Sequence, residues 1–421
     1  MHLFAYLRLV AAHPRFLAFG FTLTFAANVG QTVIIGAFGP AVRGDFELSH
    51  TAWSAIYMAG TLASALVMPW TGAQIDRYPL RSFALLVCVG LVVSAVSMAV
   101  APAAWFLIVA IFLLRQLGQG LATHTGTTAT ARHFHTDRGK ALALIGLGDA
   151  IGKAIIPVIA VFAIAVIGWR ATYGVMAGVL AIGVLPLVWW LLRPFGDGES
   201  SPALSAAKSD ATKTEPPSWS RREVLKDGRF YMLLPAVLAP AFILTAVFFH
   251  HLEIAAVKGW SSAWMTGSYW IFSAGSIGAA LAAGPLIDRI TAARVLPAYL
   301  APIALGLLII WAFDDPYWVL PYLLLIGLTS GISHTAVTAL WAEVYGTAHL
   351  GGIRALAVSL IVFSSAIGPL VMGAMMDWGI TVGTICALMA VYCVGATGLM
   401  MLALNSYRSA EPEPADRAAG D

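Results

Sequence analysis

Three ionisable residues lie deep inside long apolar stretches of the chain: Arg115, Asp149 and Lys153. Where such a stretch crosses a membrane, an ionisable side chain is costly to bury and is a candidate functional residue. Asp149 and Lys153 are four residues apart, so on a helix they lie about 40° apart on one face and can pair. Two cations near one acid leave a positive charge that an organic carboxylate could neutralise. A closed structural triad is the alternative.

Two histidines stand in similar contexts, His124 in His-Thr-Gly-Thr-Thr-Ala and His334 in His-Thr-Ala-Val-Thr-Ala. Imidazole titrates near neutral pH, which suits proton coupling by His124. Asp149 is the other candidate for proton coupling, and His334 is a candidate for contact with a substrate. A histidine that hydrogen-bonds neighbouring helices together explains the pattern equally well. His124 lies nine residues from Arg115, about 180° around an ideal helix. Both therefore face one cavity only if the intervening glycines distort the helix.

Uncharged polar and aromatic residues in the same apolar stretches are further candidates for contact with a solute: Asn28, Gln31, Tyr57 and Tyr269. Such side chains either hydrogen-bond a solute or join helices to one another. The stretch His250-His251-Leu-Glu253 is a weak candidate for metal binding, because adjacent histidines point in different directions on a helix. Packing at the membrane interface is the favoured interpretation, an outer gate or a substrate contact comes next, and we expect no metal and no cofactor.

The composition identifies the environment of these residues. Of the 421 residues, 59% are hydrophobic and only 11% are charged, and the mean hydropathy is +0.83. Soluble domains carry about 25% charged residues, so a soluble enzyme is excluded, and a net charge of +3 gives no indication of nucleic acid binding. Because about 20 apolar residues span a bilayer, the sequence predicts an all-α membrane protein with twelve spans, at 16–42, 52–75, 82–100, 103–131, 140–167, 171–192, 230–252, 264–286, 295–313, 317–345, 353–376 and 380–404.

A polar linker divides the spans into two sets of six. The predicted organisation is a six-helix bundle over 1–193, a linker over 194–228, a second bundle over 229–408 and a disordered tail over 409–421. Of the 24 Lys and Arg residues, Arg43, Arg170 and Lys258 fall on one side, two are within spans, and the rest fall on the other side. By the positive-inside rule both termini are cytoplasmic, which favours a cell inner membrane.

The two sets of spans repeat one another. The loop after span 2 contains Gly72-Ala-Gln-Ile-Asp76-Arg77, and the loop after span 8 contains Gly284-Pro-Leu-Ile-Asp288-Arg289. Each is followed by a further arginine, and the two histidine-containing stretches match at nearly the same offset. The chain is therefore predicted to be a duplicated six-helix unit with pseudo-symmetric halves.

These Asp-Arg loops resemble the signature loop of the major facilitator superfamily, and the resemblance covers essentially the whole chain. In that family the loop latches the cytoplasmic ends of helices together in the outward-open state. The resemblance implies gating roles for the matching residues, which are Asp76, Arg77, Arg81, Asp288, Arg289 and Arg294. Ordinary anchoring of short positive loops is the alternative.

Two shorter stretches, Arg132-His-Phe-His-Thr-Asp-Arg138 and Ala366-Ile-Gly-Pro369, resemble the monocarboxylate porter and oxalate/formate exchanger branch. That branch carries an acid–arginine pair in its eighth span, whereas residues 264–286 contain no charge here. The exchanger's lysine in the eleventh span is also missing. The branch therefore implies a class of substrate, a small monocarboxylate-like anion, rather than one compound.

The predicted function is secondary active transport of such an anion, with a proton, by alternating access of two bundles around a central site. In this hypothesis Arg115 or Lys153 binds the carboxylate, and the partners are a small molecule, a proton and the bilayer, with the protein a monomer. An anion exchanger, an exporter of a neutral metabolite and a transporter-like sensor are the alternatives. An enzyme is not expected, because the sequence contains no nucleotide-binding loop, H-E-x-x-H or G-x-S-x-G element.

Overall fold

The apolar stretches form helices, because a chain inside a bilayer must pair its backbone polar groups within each segment. In the computed structural model, which describes residues 2–134, 137–195, 219, 221–346 and 349–408, eleven helical stretches are long and apolar enough to cross a membrane. One of them, Arg138–Leu192, has 55 residues and is too long for a single crossing. Gly168, with φ of 77°, breaks it into two arms, which are spans 5 and 6. The predicted all-α membrane fold is confirmed.

Several spans are built from more than one helical segment. The first half contains His2–Ala12, Pro14–Ala26, Ala27–Gly30 and Thr32–Asp45 (span 1), His50–Gly72 and Ala73–Asp76 (span 2), Leu80–Ala99 (span 3), Phe106–Leu114, Arg115–Ala122 and Thr123–His133 (span 4), and Arg138–Val179, Leu180–Val184 and Leu185–Leu192 (spans 5 and 6). The second half contains Arg221–Val224, Gly228–Phe249 and His251–Val257 (span 7), Ser262–Gly267 and Tyr269–Ile290 (span 8), Ala292–Val295, Leu296–Ala298 and Ala301–Ala312 (span 9), Pro316–Trp318 and Val319–Tyr345 (span 10), Leu350–Asp377 (span 11) and Val382–Arg408 (span 12).

The packing of the spans repeats between the two halves. Span 1 packs on span 5, span 2 on span 4 and span 3 on span 6, and the same pairs recur six spans later as 7 with 11, 8 with 10 and 9 with 12. The halves meet where span 1 contacts span 7, span 2 contacts span 11 and span 5 contacts span 8. Spans 1, 2 and 5 of the first half and spans 7, 8 and 11 of the second half thus form the interface between the bundles.

Spans 1 and 4 are irregular where they face one another at the centre of the first half. Span 1 changes to a 3₁₀ turn at Ala27–Gly30 and an extended residue at Gln31, and span 4 is π-helical from Arg115 to Ala122. A Cβ on Gly30 would lie 2.0 Å from the carbonyl oxygen of Leu114, and one on Gly118 would lie 2.8 Å from the Gly30 Cα. The two glycines therefore allow both backbones to approach closely. Irregular backbone at membrane depth is tolerated where it lies in protein or lines a cavity.

Candidate functional site

Arg115 is a buried cation at the break in span 1. Its side chain is only 6% exposed, and its Nη1 donates hydrogen bonds to the carbonyl oxygen of Gly30 and the hydroxyl of Thr32, each at 3.3 Å. The guanidinium carbon lies 5.4 Å from the centre of the Tyr57 ring. Among the residues that the structure describes, no carboxylate oxygen lies within 4.0 Å of this guanidinium. The expected triad with Asp149 and Lys153 is therefore not formed.

The free side of Arg115 faces a cavity of about 900 Å³ between the two halves. Spans 2 and 4 of the first half and span 11 of the second half supply its walls. Gln119, His124, Thr128 and Arg132 follow Arg115 along the same wall. Arg115 and His124 share this wall because the π-helical turn changes the number of residues per turn between them. The distortion that the sequence required for both to face one cavity is present.

Asp149 and Lys153 form the predicted ion pair on span 5. Lys153 Nζ donates to Asp149 Oδ2 over 2.6 Å, and both side chains remain partly exposed. Gln31 Nε2 lies 3.5 Å from the other carboxylate oxygen. Lys153, Gln31 and Tyr269 line a pocket of about 170 Å³ at the interface of the halves. This pocket shares Ser330 with a second cavity of about 260 Å³, which in turn shares Val358 with the cavity at Arg115.

We call the side of the bundle where span 6 ends and span 7 begins the linker face, and the side where span 1 ends and span 2 begins the far face. The far face is closed by contacts between the halves. Arg43 of span 1 donates to Glu253 over 3.1 Å, and Asp377 of span 11 accepts from the backbone N–H groups of His50 and Thr51 at 3.1 and 2.7 Å. The cavity at Arg115 extends toward Asp76 and Arg132 on the linker face. The structure is therefore open on the linker face and closed on the far face.

Glycines allow the far face to close tightly. A Cβ on Gly36 of span 1 would lie 2.6 Å from the carbonyl oxygen of Phe248 in span 7. On Gly373 of span 11 it would lie 2.8 Å from the carbonyl oxygen of His50 and from the hydroxyl of Ser54. Backbones of opposite halves are thus in direct contact at two places.

The signature-loop residues make contacts within the first half in this state. Asp76 pairs with Arg132 of span 4, and the guanidinium of Arg81 lies 5.4 Å from the centre of the Trp189 ring. Arg77, and in the second loop Arg289 and Arg294, are exposed. The side chain of Asp288 lies outside the described part of the structure. The contact of Asp76 with Arg132 thus joins the ends of spans 2 and 4 within one half.

The remaining candidates from the sequence divide between the cavities and the helix interfaces. Asn28 is fully buried and donates to the carbonyl oxygens of Thr24, Phe25 and Asp149, so it joins spans 1 and 5. The Tyr57 hydroxyl lies 2.6 Å from Thr32 Oγ1, and the Tyr269 hydroxyl lies 2.9 Å from His251 Nδ1. The side chain of His334 lies outside the described residues.

Three residues of the far face were not recognised as a group in the sequence: Arg43, His50 and Asp377. Their partners lie between 200 and 330 positions away, in the other half. Nothing in one sequence relates a charge at the end of span 1 to one at the end of span 7. The internal repeat offers no signal either, because these contacts join the halves instead of recurring within each of them.

Comparisons with known proteins agree with this architecture. The profile of the Major Facilitator Superfamily matches residues 20–369. A gallate transporter of Pseudomonas putida is 25% identical over 184 residues, which are 44% of this chain and only 39% of that protein's length.

Two solved structures show the fold. A bacterial homologue of the human lysosomal transporter Spinster, in an inward-facing and occupied conformation, superposes with a TM-score of 0.72 at 13% identity, over 96% of this chain and 99% of its own. A variant of the nucleoside transporter NupG gives 0.71 at 13% identity, over 92% and 99%. The chain belongs to the major facilitator superfamily and is a multi-pass membrane transporter of a small molecule rather than an enzyme.

Proposed function

We propose that this transporter carries an organic anion whose carboxylate binds Arg115. The observation that carries the proposal is the state of this side chain, which is a buried cation at the wall of a cavity of about 900 Å³ with no carboxylate of the described chain within 4.0 Å. A buried charge without a partner costs several kcal/mol. A substrate carboxylate would provide the negative charge that no described side chain supplies beside Arg115.

The donors of Arg115 that stay free suit a carboxylate. Both of its hydrogen bonds to described residues leave from Nη1, so Nε and Nη2 have no partner in the described part of the chain. These two nitrogens carry three N–H groups, and one N–H from each nitrogen points along the same edge of the planar guanidinium. Such an edge binds both oxygens of a carboxylate through two parallel hydrogen bonds. The bonds from Nη1 to span 1 hold the guanidinium in place for this contact.

The similarity to a gallate transporter supports a carboxylate as the recognised group, since gallate is an aromatic carboxylate. The ring of Tyr57 beside Arg115 and the volume of the cavity are compatible with an aromatic acid as well as with the small monocarboxylates that the sequence suggested. We therefore include both kinds of acid among the candidate substrates.

We further propose that the ion pair of Asp149 and Lys153 couples transport to a proton. Protonation of Asp149 would break its 2.6 Å contact with Lys153 and release an ammonium group into the pocket on the substrate pathway. Binding of the proton and of the anion would then favour one another, as in any pair of linked equilibria. His124 is the second candidate for carrying the proton, since it lines the large cavity between Arg115 and Arg132.

Alternating access requires the far face to open when the linker face closes. The contacts to be broken include those between Arg43 and Glu253 and between Asp377 and the start of span 2. The concentration of basic residues on the linker face favours a cytoplasmic location for that face. In this orientation the structure is the inward-open state of an inner-membrane transporter.

The test is transport by the purified full chain in proteoliposomes. Labelled formate, lactate, pyruvate, oxalate and gallate are offered under an inward proton gradient, with a pH-sensitive dye in the lumen. We expect accumulation of at least one acid together with acidification of the lumen. Exchange of acids without acidification would remove the proton from the mechanism, and transport confined to neutral compounds would refute the role of Arg115.

A further inference from the structure

We propose that His50, His250 and Glu253 form a binding site for a divalent transition-metal ion such as Zn²⁺ at the closed far face. One ligand atom from each residue lies within 4.8 Å of the other two. His50 begins span 2 in the first half, whereas His250 and Glu253 lie near the far-face end of span 7 in the second half. The site is complete only when the two halves are in contact on this face.

The three side chains leave unused ligand atoms at the same place. His250 is fully buried and Glu253 is only 8% exposed. Nδ1 of His50, Nδ1 of His250 and Oε2 of Glu253 are buried atoms without a hydrogen-bond partner in the described structure. Buried polar atoms are nearly always paired, so three unpaired atoms on side chains that come this close to one another favour the binding of a cation between them.

The surrounding contacts prepare His250 as a ligand. Its Nε2 lies 3.1 Å from the carbonyl oxygen of Pro369 and donates its proton there, while the Ser54 hydroxyl lies 3.3 Å from the same nitrogen. A proton on Nε2 leaves the lone pair on Nδ1, and histidines that bind metals typically donate their other N–H to a carbonyl or carboxylate. His251 points elsewhere, to the hydroxyls of Tyr269 and Tyr322, so the second histidine comes from the other half of the protein.

The local charge suits a divalent cation. Glu253 uses Oε1 to accept from Arg43, and Asp377 accepts from the backbone N–H of His50, so two carboxylates and one guanidinium lie next to the three side chains. Two imidazoles and a carboxylate are ligands that Zn²⁺ binds at about 2.0–2.2 Å, which places ligand atoms roughly 3.4 Å apart. Small rotations of the side chains would bring atoms that are now within 4.8 Å to this spacing.

A metal at this position would hold the far face shut. Because its ligands belong to both halves, the ion binds the closed arrangement and not the open one, and it can shift the equilibrium only through that difference. At a free metal concentration of 100 times Kd, the ratio of closed to open protein would rise about 100-fold. The site would thus act as a brake on transport, responsive to metal on the far side.

The binding test uses the full chain in detergent, stripped with a chelator and titrated with Zn²⁺, with Mg²⁺ as the hard-cation comparison. We expect one Zn²⁺ per chain, no binding of Mg²⁺ at the same concentration, and at least a tenfold loss of Zn²⁺ affinity in His50→Asn. His349→Asn, which removes an exposed histidine on the linker face, is the matched control and should bind as the wild type does. The partly exposed His50 can be replaced with little risk to folding, and a size-exclusion profile verifies it.

Failure of the wild type to bind Zn²⁺, or equal affinity in wild type and His50→Asn, would overturn the site and indicate water-bridged side chains instead. These readouts need no transported substrate, so they stand or fall separately from the proposed function. In proteoliposomes Zn²⁺ should slow the exchange of a transported acid by the wild type and leave His50→Asn unaffected. Equal inhibition of both would contradict the brake.

Discussion

Replacing Arg115 with methionine should remove anion binding without lowering the stability of the protein. The side chain makes two hydrogen bonds of 3.3 Å, and bonds to charged groups contribute about 1.5–3 kcal/mol. Against them stands the burial of an unpaired charge, and replacing buried ionic groups with apolar ones of similar volume is often neutral or stabilising by about 1–4 kcal/mol. The expected thermal stability of Arg115→Met without ligand is therefore equal to or above that of the wild type.

The loss of binding should be large. Removing one partner of a desolvated, hydrogen-bonded charge pair costs about 2–5 kcal/mol, which corresponds to a loss of affinity of roughly 30-fold or more. At a ligand concentration of 100 Kd the wild type gains about 2.7 kcal/mol of stability, whereas a variant that binds 1,000-fold more weakly gains about 0.06 kcal/mol. Arg115→Lys keeps the charge without the two-pronged contact and should fall between them.

The assay is thermal unfolding in detergent, with and without each candidate acid, followed by intrinsic fluorescence. Arg222→Met serves as the control, since it removes an exposed arginine outside the cavities. A large drop in the melting temperature of Arg115→Met without ligand would identify Arg115 as a structural residue. An undiminished ligand shift in this variant would place the anion elsewhere, and either result would refute the reasoning.

Three further predictions concern other parts of the protein. With a difference of one pH unit across the membrane, vesicles with the wild type should accumulate a proton-coupled anion about tenfold. Asp149→Asn should lose this accumulation and keep the exchange of anions. Accumulation by Asp149→Asn would exclude Asp149 from coupling. Glu253→Arg should lower the free energy of unfolding by about 3–5 kcal/mol, and adding Arg43→Glu should recover most of this loss. No recovery would mean that the pair does not hold the far face.

Asp227, which caps the start of span 7, should make its contribution to stability dependent on pH. Burial raises the pKa of Asp227, but hydrogen bonds from Tyr407 and Arg229 outweigh burial and hold the pKa below its usual value. The stabilisation of the fold by ionised Asp227 is therefore complete above about pH 4, and it is lost as the pH falls through the lowered pKa. Asp227→Asn should lower the free energy of unfolding by about 1.5–3 kcal/mol at pH 7 and by little at a pH below the pKa of Asp227. Thermal unfolding of wild type and variant across this pH range measures the difference, and an equal loss at both pH values would contradict the prediction.

The fold could be predicted because hydropathy and duplication are properties of the sequence itself. The length that a membrane requires determines the spans, and the repeat of the Asp-Arg loop after spans 2 and 8 relates the halves. The break of span 1 at Ala27–Gly30 was not predicted, because it depends on the close packing of Gly30 against span 4. An apolar stretch with one glycine is otherwise typical of an unbroken helix.

The candidate site could be predicted only in part, because it depends on distances between helices. The pairing of Asp149 with Lys153 follows from their spacing on one helix and is present. The place of Arg115 beside this pair was an assumption about two helices, and the guanidinium instead bonds to span 1. The meeting of His50 with His250 and Glu253 joins residues 200 positions apart and has no local signal.

The most direct test of the central claim compares an acid with its amide in wild-type proteoliposomes. Vesicles loaded with an unlabelled acid are diluted into the labelled acid, or into its primary amide of nearly the same shape, at the same pH on both sides. If Arg115 recognises a carboxylate, the acid should exchange across the membrane, whereas the neutral amide should neither exchange nor compete. Equal exchange of acid and amide would show that the positive charge in the cavity does not select the substrate.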